Sequence, residues 1–515
     1  MILQRFLLPV YFFIHVYTIS AQVVPLGQPV STALTDDFNP SVSGNGKVLL
    51  YEQIYTNSTK ADVMISSQTN GIWARPEIMT GANTNIDQIT NAGYFINHAG
   101  NVIVFHSSRY GGVGGTDIWH LEKNANGIWS APKNLAKPVN SELNEIDPSL
   151  SPDGKYLYFT IVNEKKTPAG LPCGKIMMAE RNGNNGWKPA IALPAPINMG
   201  CECGGKLLSD GKTFLFSSMR SGGKGGYDVY MSRVKEDGSY SSPVLYSFLN
   251  TDKDDKYVSV AAGGSMVYYA APGKAGPERD IMRAKIPDDL QPETVRLYQG
   301  KVLNSADNST LPAQIMVTNT RTGKQSVYYT TADGNFSVPI PRSDEYDISV
   351  FSVSPGFTYT SELSTLSSDK KYEEKNINFT LTPLTSGTLI PMKNLSFTNN
   401  EIQTDKKGEL EINRIKFFLR LNPSRNIEIH TYTDKITTDT IRHSELDKDI
   451  TATQDTSNAF PALYSDDHTQ AQATYIYDNL IKGGIPTTRI TYLGMGLDEH
   501  QSEEDRKKRY EILVK

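Results

Sequence analysis

The chain has 515 residues, and 51 Lys and Arg against 56 Asp and Glu leave a formal net charge of −5. That mildly acidic balance argues against a nucleic-acid binder, which is usually basic. Hydrophobic residues at 38% and charged residues at 21% exclude both a disordered chain and a membrane bundle. The length predicts about three or four domains, and 27 Tyr with 40 Gly favour strands joined by tight turns.

The first segment reads as a targeting sequence. Arg5 supplies a positive charge, an apolar run follows from Phe6 to Tyr17, and Ile19-Ser20-Ala21 offers a small residue for cleavage before Gln22. Residues 1–21 are therefore expected to be a secretory signal peptide, too short to span a bilayer. No later stretch is apolar enough to span one, so the mature chain is expected to be exported, without a transmembrane segment.

A repeat dominates the next 270 or so residues. Ser43-Gly44-Asn45-Gly46, His98-Ala99-Gly100, Ser151-Pro152-Asp153-Gly154, Ser209-Asp210-Gly211 and Ala262-Gly263-Gly264 align, with spacings of 54, 54, 57 and 53 between their last glycines. An alternating apolar strand follows each turn, for example Val102-Ile103-Val104-Phe105 and Thr213-Phe214-Leu215-Phe216. Gly-rich turns, Arg109 to Gly115 and Arg220 to Gly226, precede Asp117-Ile118-Trp119 and Asp228-Val229-Tyr230. The Asp of each such unit is expected to bond backbone N–H groups of its turn. Short strands, no helical periodicity and five units predict a five-bladed β-propeller over 22–294. These units resemble the TolB-like, WD-type propeller repeats of bacterial periplasmic proteins, most closely at Asp147-Pro148-Ser149-Leu150-Ser151-Pro152-Asp153-Gly154-Lys155.

Three cysteines, Cys173, Cys201 and Cys203, are too few for a disulfide framework, and Cys201-Glu202-Cys203 has the wrong spacing for a zinc knuckle. They are expected to be small buried thiols, with no metal. The acidic run Thr251 to Lys256 is interrupted by Lys253 and ends in another lysine, so it does not read as a calcium loop.

Alternation with Pro, Gly and Asp turns continues over 295–382, through Leu311 to Val317, Asn335 to Val338 and Tyr346 to Val350. Asp333-Gly334-Asn335-Phe336 resembles the folding signature of carboxypeptidase-regulatory-like domains. That resemblance implies a transthyretin-like β-sandwich with Phe336 in its core.

After a Thr/Ser/Gly/Pro linker from Pro383, strand and helix patterns alternate over 388–515. Ile390 to Phe397 reads as a strand; Ile412, Ile415 and Leu419 share one helix face; Ile427 to Thr433 is a strand ending in Thr433-Asp434. Ala473, Ile476, Tyr477 and Leu480 line a second helix, which stops at Gly483-Gly484-Ile485-Pro486. Strands Arg489 to Leu493 and Tyr510 to Val514 close the chain, separated by Gly494-Met495-Gly496. This βαβαββ order resembles the OmpA-like peptidoglycan-binding domain. The resemblance implies that Asp434, with Thr433 before it, meets the ammonium of the diaminopimelate side chain in the stem peptide. The family's arginine, which forks onto the same residue's carboxylate, aligns with Gln472 here. The usual Leu-Ser ahead of it reads His468-Thr469, and a polar insertion from Lys435 to His468 carries Arg442 and His443.

No Gly-x-Ser-x-Gly elbow, His-Glu-x-x-His, P-loop or dinucleotide fingerprint occurs. The complete order resembles the PorE-type periplasmic proteins of Bacteroidetes, linked to type IX secretion, without their helical repeats before the propeller. It implies a non-catalytic, cofactor-free scaffold in the periplasm, associated with the outer membrane. Peptidoglycan would be held by the C-terminal domain and outer-membrane or periplasmic proteins by the propeller, with no nucleic acid among the partners. Two alternatives stay open at this point: a sugar- or peptide-binding propeller without wall contact, and a propeller hydrolase.

Overall fold

The computed structural model describes residues 23–515 except 33, 56–57, 59, 80, 83–90, 167–171, 184–185, 274–277, 367–370, 398–401, 435–460 and 498–506. The expected signal peptide, and Arg442 and His443 of the insertion, lie outside the described residues. The chain is a β-rich, multidomain protein with two α-helices among the described residues.

From Val23 to Lys285 the strands form five antiparallel sheets of four or five strands, in a propeller-like arrangement. Consecutive strands pair within each sheet, as short Gly-containing turns dictate. The glycines aligned in the sequence, 46, 100, 154, 211 and 264, all adopt positive φ, which is why the turn requires them. The apolar strand after each turn is the buried second strand of its sheet: Leu49, Ile103, Leu157, Phe214 and Val267 are all fully buried. The N-terminal strand Val23–Pro25 pairs with Arg279–Lys285, so the chain's beginning completes the sheet made by the last repeat.

Hydrogen bonds link neighbouring sheets all the way round, mostly through their first strands. Ile96 N donates to Ser41 Oγ at 3.0 Å, and Asp147 N to His106 Nδ1 at 3.2 Å. Ser149 Oγ donates to the Gly205 carbonyl at 2.6 Å, Lys206 Nζ to Val258 O at 3.0 Å, and Val42 N to Ser259 Oγ at 3.0 Å. The expected role of the repeated aspartates holds at two units. Asp117 accepts from Val113 N and Gly114 N, and Asp228 from Lys224 N and Gly225 N at 2.8 and 3.1 Å.

One expectation is corrected here. Cys173 and Cys201 are not free thiols but a disulfide, and only Cys203 remains a buried free cysteine. Three cysteines cannot build a framework, yet they can make one staple. Its partners stand 28 residues apart in sequence and belong to consecutive sheets, a proximity that only the ring creates.

Val295 to Leu381 forms two further four-stranded sheets facing each other across a common core. Phe336 is 3% exposed and stacks on Phe379, as a core residue should. This unit meets the repeat sheets on the side of their Gly turns. Lys212 Nζ donates to Ser343 Oγ at 3.3 Å, Arg321 bonds Glu236 at 2.6 Å, and Asn45 reaches Gln299 at 3.4 Å.

The remaining chain runs strand Leu389–Pro391, helix α1 (Lys406–Leu421), strand Ile427–Thr433, helix α2 (Pro461–Lys482) and strands Ile490–Leu497 and Arg509–Val514. Asp405 caps α1 by accepting from Gly408 N at 2.9 Å, and Ile412, Ile415, Phe418 and Leu419 form its buried face. Gly484, at φ 84°, ends α2 in the left-handed turn that glycine allows. The first strand is shorter than the expected Ile390 to Phe397, because the chain turns at Lys393 and Asn394. Gly494-Met495-Gly496 does not separate strands; it lies within Ile490–Leu497. Phe351 and Tyr359 of the preceding unit and Leu384 of the linker join this core, so the two units share one hydrophobic interior.

Candidate functional site

Strand Ile427–Thr433 lies inside the C-terminal sheet, parallel to Ile490–Leu497 on one side and antiparallel to Arg509–Val514 on the other. Its end delivers Thr433, 5% exposed, and then the half-buried Asp434. The start of the well-packed part of α2 is clamped over this strand end. Thr431 Oγ1 donates to the Thr469 carbonyl at 2.6 Å, Gly496 N donates to Thr469 Oγ1 at 3.1 Å, and Gly494 N donates to Gln470 Oε1 at 2.7 Å. A Cβ on Gly494 would sit 2.2 Å from the Gln470 nitrogen, so only glycine lets the helix come this close.

The clamp places Gln472, 4% exposed, one helical turn beyond His468, with 3.0 Å between Gln472 Nε2 and His468 Nε2. Gln472 also reaches the hydroxyl of Tyr510, which the last strand brings in beside Thr431. Burial, and then the nearby Asp434 charge, push the Tyr510 hydroxyl up to about 12. Asp434 Oδ1 is itself fully buried and has no hydrogen-bond partner among the described residues. Burial, then Lys508, lower the His468 pKa and favour a neutral ring. Arg509 covers the Tyr432 ring at 3.6 Å.

The structure therefore brings together all three residues singled out in the sequence: Thr433, Asp434 and Gln472. It adds Tyr510 and His468, which sequence reasoning did not assign to the site. Tyr510 carries a usable signal, since it faces the Thr431 position across a two-residue alternation. His468 sits where the resembling family has leucine, and nothing in the sequence marks it as a neighbour of Gln472. Chemically, the arrangement offers an anionic acceptor on one side and neutral amide and phenol groups on the other. It can receive an ammonium at Asp434, and Gln472 can donate to a carboxylate without neutralising its charge. Among the described residues, no group of three or more His, Cys, Asp or Glu is placed to hold a metal, and no helix is long and apolar enough to cross a membrane.

No protein-family model and no curated protein matches this chain. Among solved structures, it is similar to the catalytic domain of Coprinopsis cinerea GH62 α-L-arabinofuranosidase at 10% identity, covering 52% of this chain and 96% of that one, with a TM-score of 0.35. The Lactobacillus brevis α-L-arabinofuranosidase matches at 16% identity over 52% of this chain and 96% of its own, with a TM-score of 0.34. The periplasmic domain of Helicobacter pylori MotB matches at 15% identity over 25% of this chain and 75% of its own, with a TM-score of 0.19. At these identities and TM-scores the similarities assign no activity or ligand.

Proposed function

We propose that the chain is a non-catalytic periplasmic scaffold that ties an outer-membrane assembly, of the kind linked to type IX secretion, to peptidoglycan. In this reading 22–294 is a five-bladed propeller and 295–382 a carboxypeptidase-regulatory-like sandwich. Residues 388–515 are an OmpA-like domain, and the whole is a PorE-like protein. The observation that carries the reading is Asp434. Its Oδ1 is buried and has no partner among the described residues, at the end of an interior strand and beside Tyr510 and Gln472. A buried acceptor left unsatisfied is costly, and a stem-peptide ammonium would satisfy it.

Three features support the rest. The Cys173–Cys201 disulfide suits an oxidising compartment, in keeping with an exported chain. The sandwich bonds the repeat sheets through Lys212–Ser343, Arg321–Glu236 and Asn45–Gln299 and shares a core with the C-terminal sheet, as a rigid strut requires. Asp117 and Asp228 each accept from two turn amides, which favours structure over catalysis in the propeller. The test is cosedimentation of the full chain with purified sacculi, competed by free stem peptide. Retention that the peptide displaces supports the reading; absence of retention overturns it.

A further inference from the structure

The first strands of the five sheets share a feature, within the strand in four of them and just before it in the fifth. Asn39, Gly93, Asp147, Gly204 and Tyr257 all take left-handed backbone, with φ of 50, 64, 50, 65 and 59°, and they repeat at the spacing of the turns. Glycine takes this conformation freely; a tyrosine there is strained, and strain of this kind collects at functional sites. Four of the five positions fall in a break of strand register, which turns the residue out of the ladder.

Asp147 is 5% exposed, and neither of its carboxylate oxygens has a hydrogen-bond partner among the described residues. Asn39 Oδ1 is likewise buried and unpartnered, while Asn39 Nδ2 donates to Glu52 Oε1 at 2.8 Å. Lys206 is committed to the Val258 carbonyl by one of its three N–H groups. Burial raises Asp147 to about 6, against the charges of Lys256 and Lys206 and the nearby Tyr257 hydroxyl; it raises Glu52 to about 7 and lowers Lys206 to about 8. The cluster thus holds acceptors and donors with nearly balanced charge.

Asn39, Asp147, Lys206 and Tyr257 line a cavity of about 10 Å³, room for a single oxygen. Asn39 and Tyr257 also line a cleft of about 250 Å³ that reaches Tyr269 and the exposed Asp254. The two volumes together describe a site for a ligand whose bulk stays in the cleft while one polar atom reaches Asp147.

We propose that this axial site binds a sugar residue, one of whose hydroxyls enters the inner cavity, donating to Asp147 and accepting from Lys206. A hydroxyl is the group that uses the Asp147 acceptor and a remaining Lys206 N–H at once. A cation would face Lys206 and Lys256, and an anion would face Asp147 and Glu52, so a neutral ligand fits best. Tyr257 and Tyr269 supply the apolar faces on which a sugar ring packs. The site is separate from the wall contact at Asp434 and does not depend on it.

Saturation-transfer NMR on the full chain tests this with maltose, cellobiose, lactose and xylobiose, alongside butylamine and citrate as charged probes. At least one disaccharide receives saturation, and neither charged probe does. Asp147→Asn keeps a residue that tolerates left-handed backbone, so it folds, yet it weakens the disaccharide about tenfold. Tyr257→Gly, which keeps the left-handed backbone and removes the ring, also weakens it, and Asp434→Ala leaves it unchanged. The proposal is overturned if no disaccharide is saturated or if butylamine or citrate is saturated instead. It is equally overturned if affinity survives both Asp147→Asn and Tyr257→Gly, or if it is lost in Asp434→Ala.

Discussion

Replacing Arg414 by Met should uncouple the C-terminal unit from the sheets before it. Arg414, Asp347 and Glu411 are 3%, 3% and 0% exposed, so the charges are buried in one another's company. Arg414 Nη2 bonds Asp347 Oδ1 at 2.6 Å, Nη1 bonds Glu411, and Nε bonds Ser349 Oγ at 2.8 Å. The Tyr359 hydroxyl donates to Glu411 Oε1 at 3.1 Å, and Ser349 Oγ to Asp347 Oδ2 at 2.7 Å. Asp347 and Ser349 belong to strand Tyr346–Ser352 and Glu411 to α1, so the network crosses the boundary between the two units. Removing the cation leaves two carboxylates buried without compensation, which costs about 3–5 kcal/mol. At roughly 2–4 °C per kcal/mol for a unit of this size, the melting transition should fall by about 6–20 °C. Neutralising all three, as Arg414→Met with Asp347→Asn and Glu411→Gln, removes the stranded charge and should recover most of that loss. Differential scanning calorimetry of the full chain reads both. A fall below about 2 °C for Arg414→Met, or a triple variant no better than the single one, would refute the reasoning.

Three further outcomes follow from other parts of the molecule. Cys201→Ser opens a loop closed across 28 residues, which by chain entropy destabilises the repeat sheets by about 3.6 kcal/mol, and reduction of the native chain should lower its melting temperature to match. Glu52 is raised to about 7, so folding favours its protonated form; stability should decline as pH climbs from about 4.5 to 7 and level off above. Glu52→Gln should therefore stabilise the chain in urea titrations at pH 8 by up to about 3 kcal/mol and have little effect at pH 4.5. Gln472→Arg restores a charge-assisted donor, and sacculus cosedimentation should tighten roughly tenfold.

The repeat was legible because its turns need glycine. The same positions that align in sequence, 46, 100, 154, 211 and 264, are the positive-φ residues of the structure. The helices were legible from apolar spacing, and α1 presents Ile412, Ile415 and Leu419 to the core as read. Ring-level proximity was not legible. The Cys173–Cys201 bridge and the buried contact of Arg414 with Asp347 join residues that only tertiary packing brings together, and an isolated Arg or Cys carries no sign of its partner. The candidate site was half legible: Thr433 and Asp434 fall at a strand end marked by alternation. Gln472 came from counting back from the Gly484 stop, whereas Tyr510 and His468 needed the sheet and the helix turn to be assembled.

The central claim is that Asp434 holds the ammonium of a peptidoglycan stem peptide. Isothermal titration of the full chain with a diaminopimelate-containing stem tripeptide tests it most directly, with native protein and Asp434→Ala measured side by side. The native chain should bind weakly, since Gln472 offers an amide where a guanidinium would neutralise the peptide's carboxylate, and Asp434→Ala should abolish the heat. Equal binding by the two proteins, or no binding by the native chain at millimolar peptide, would contradict the account.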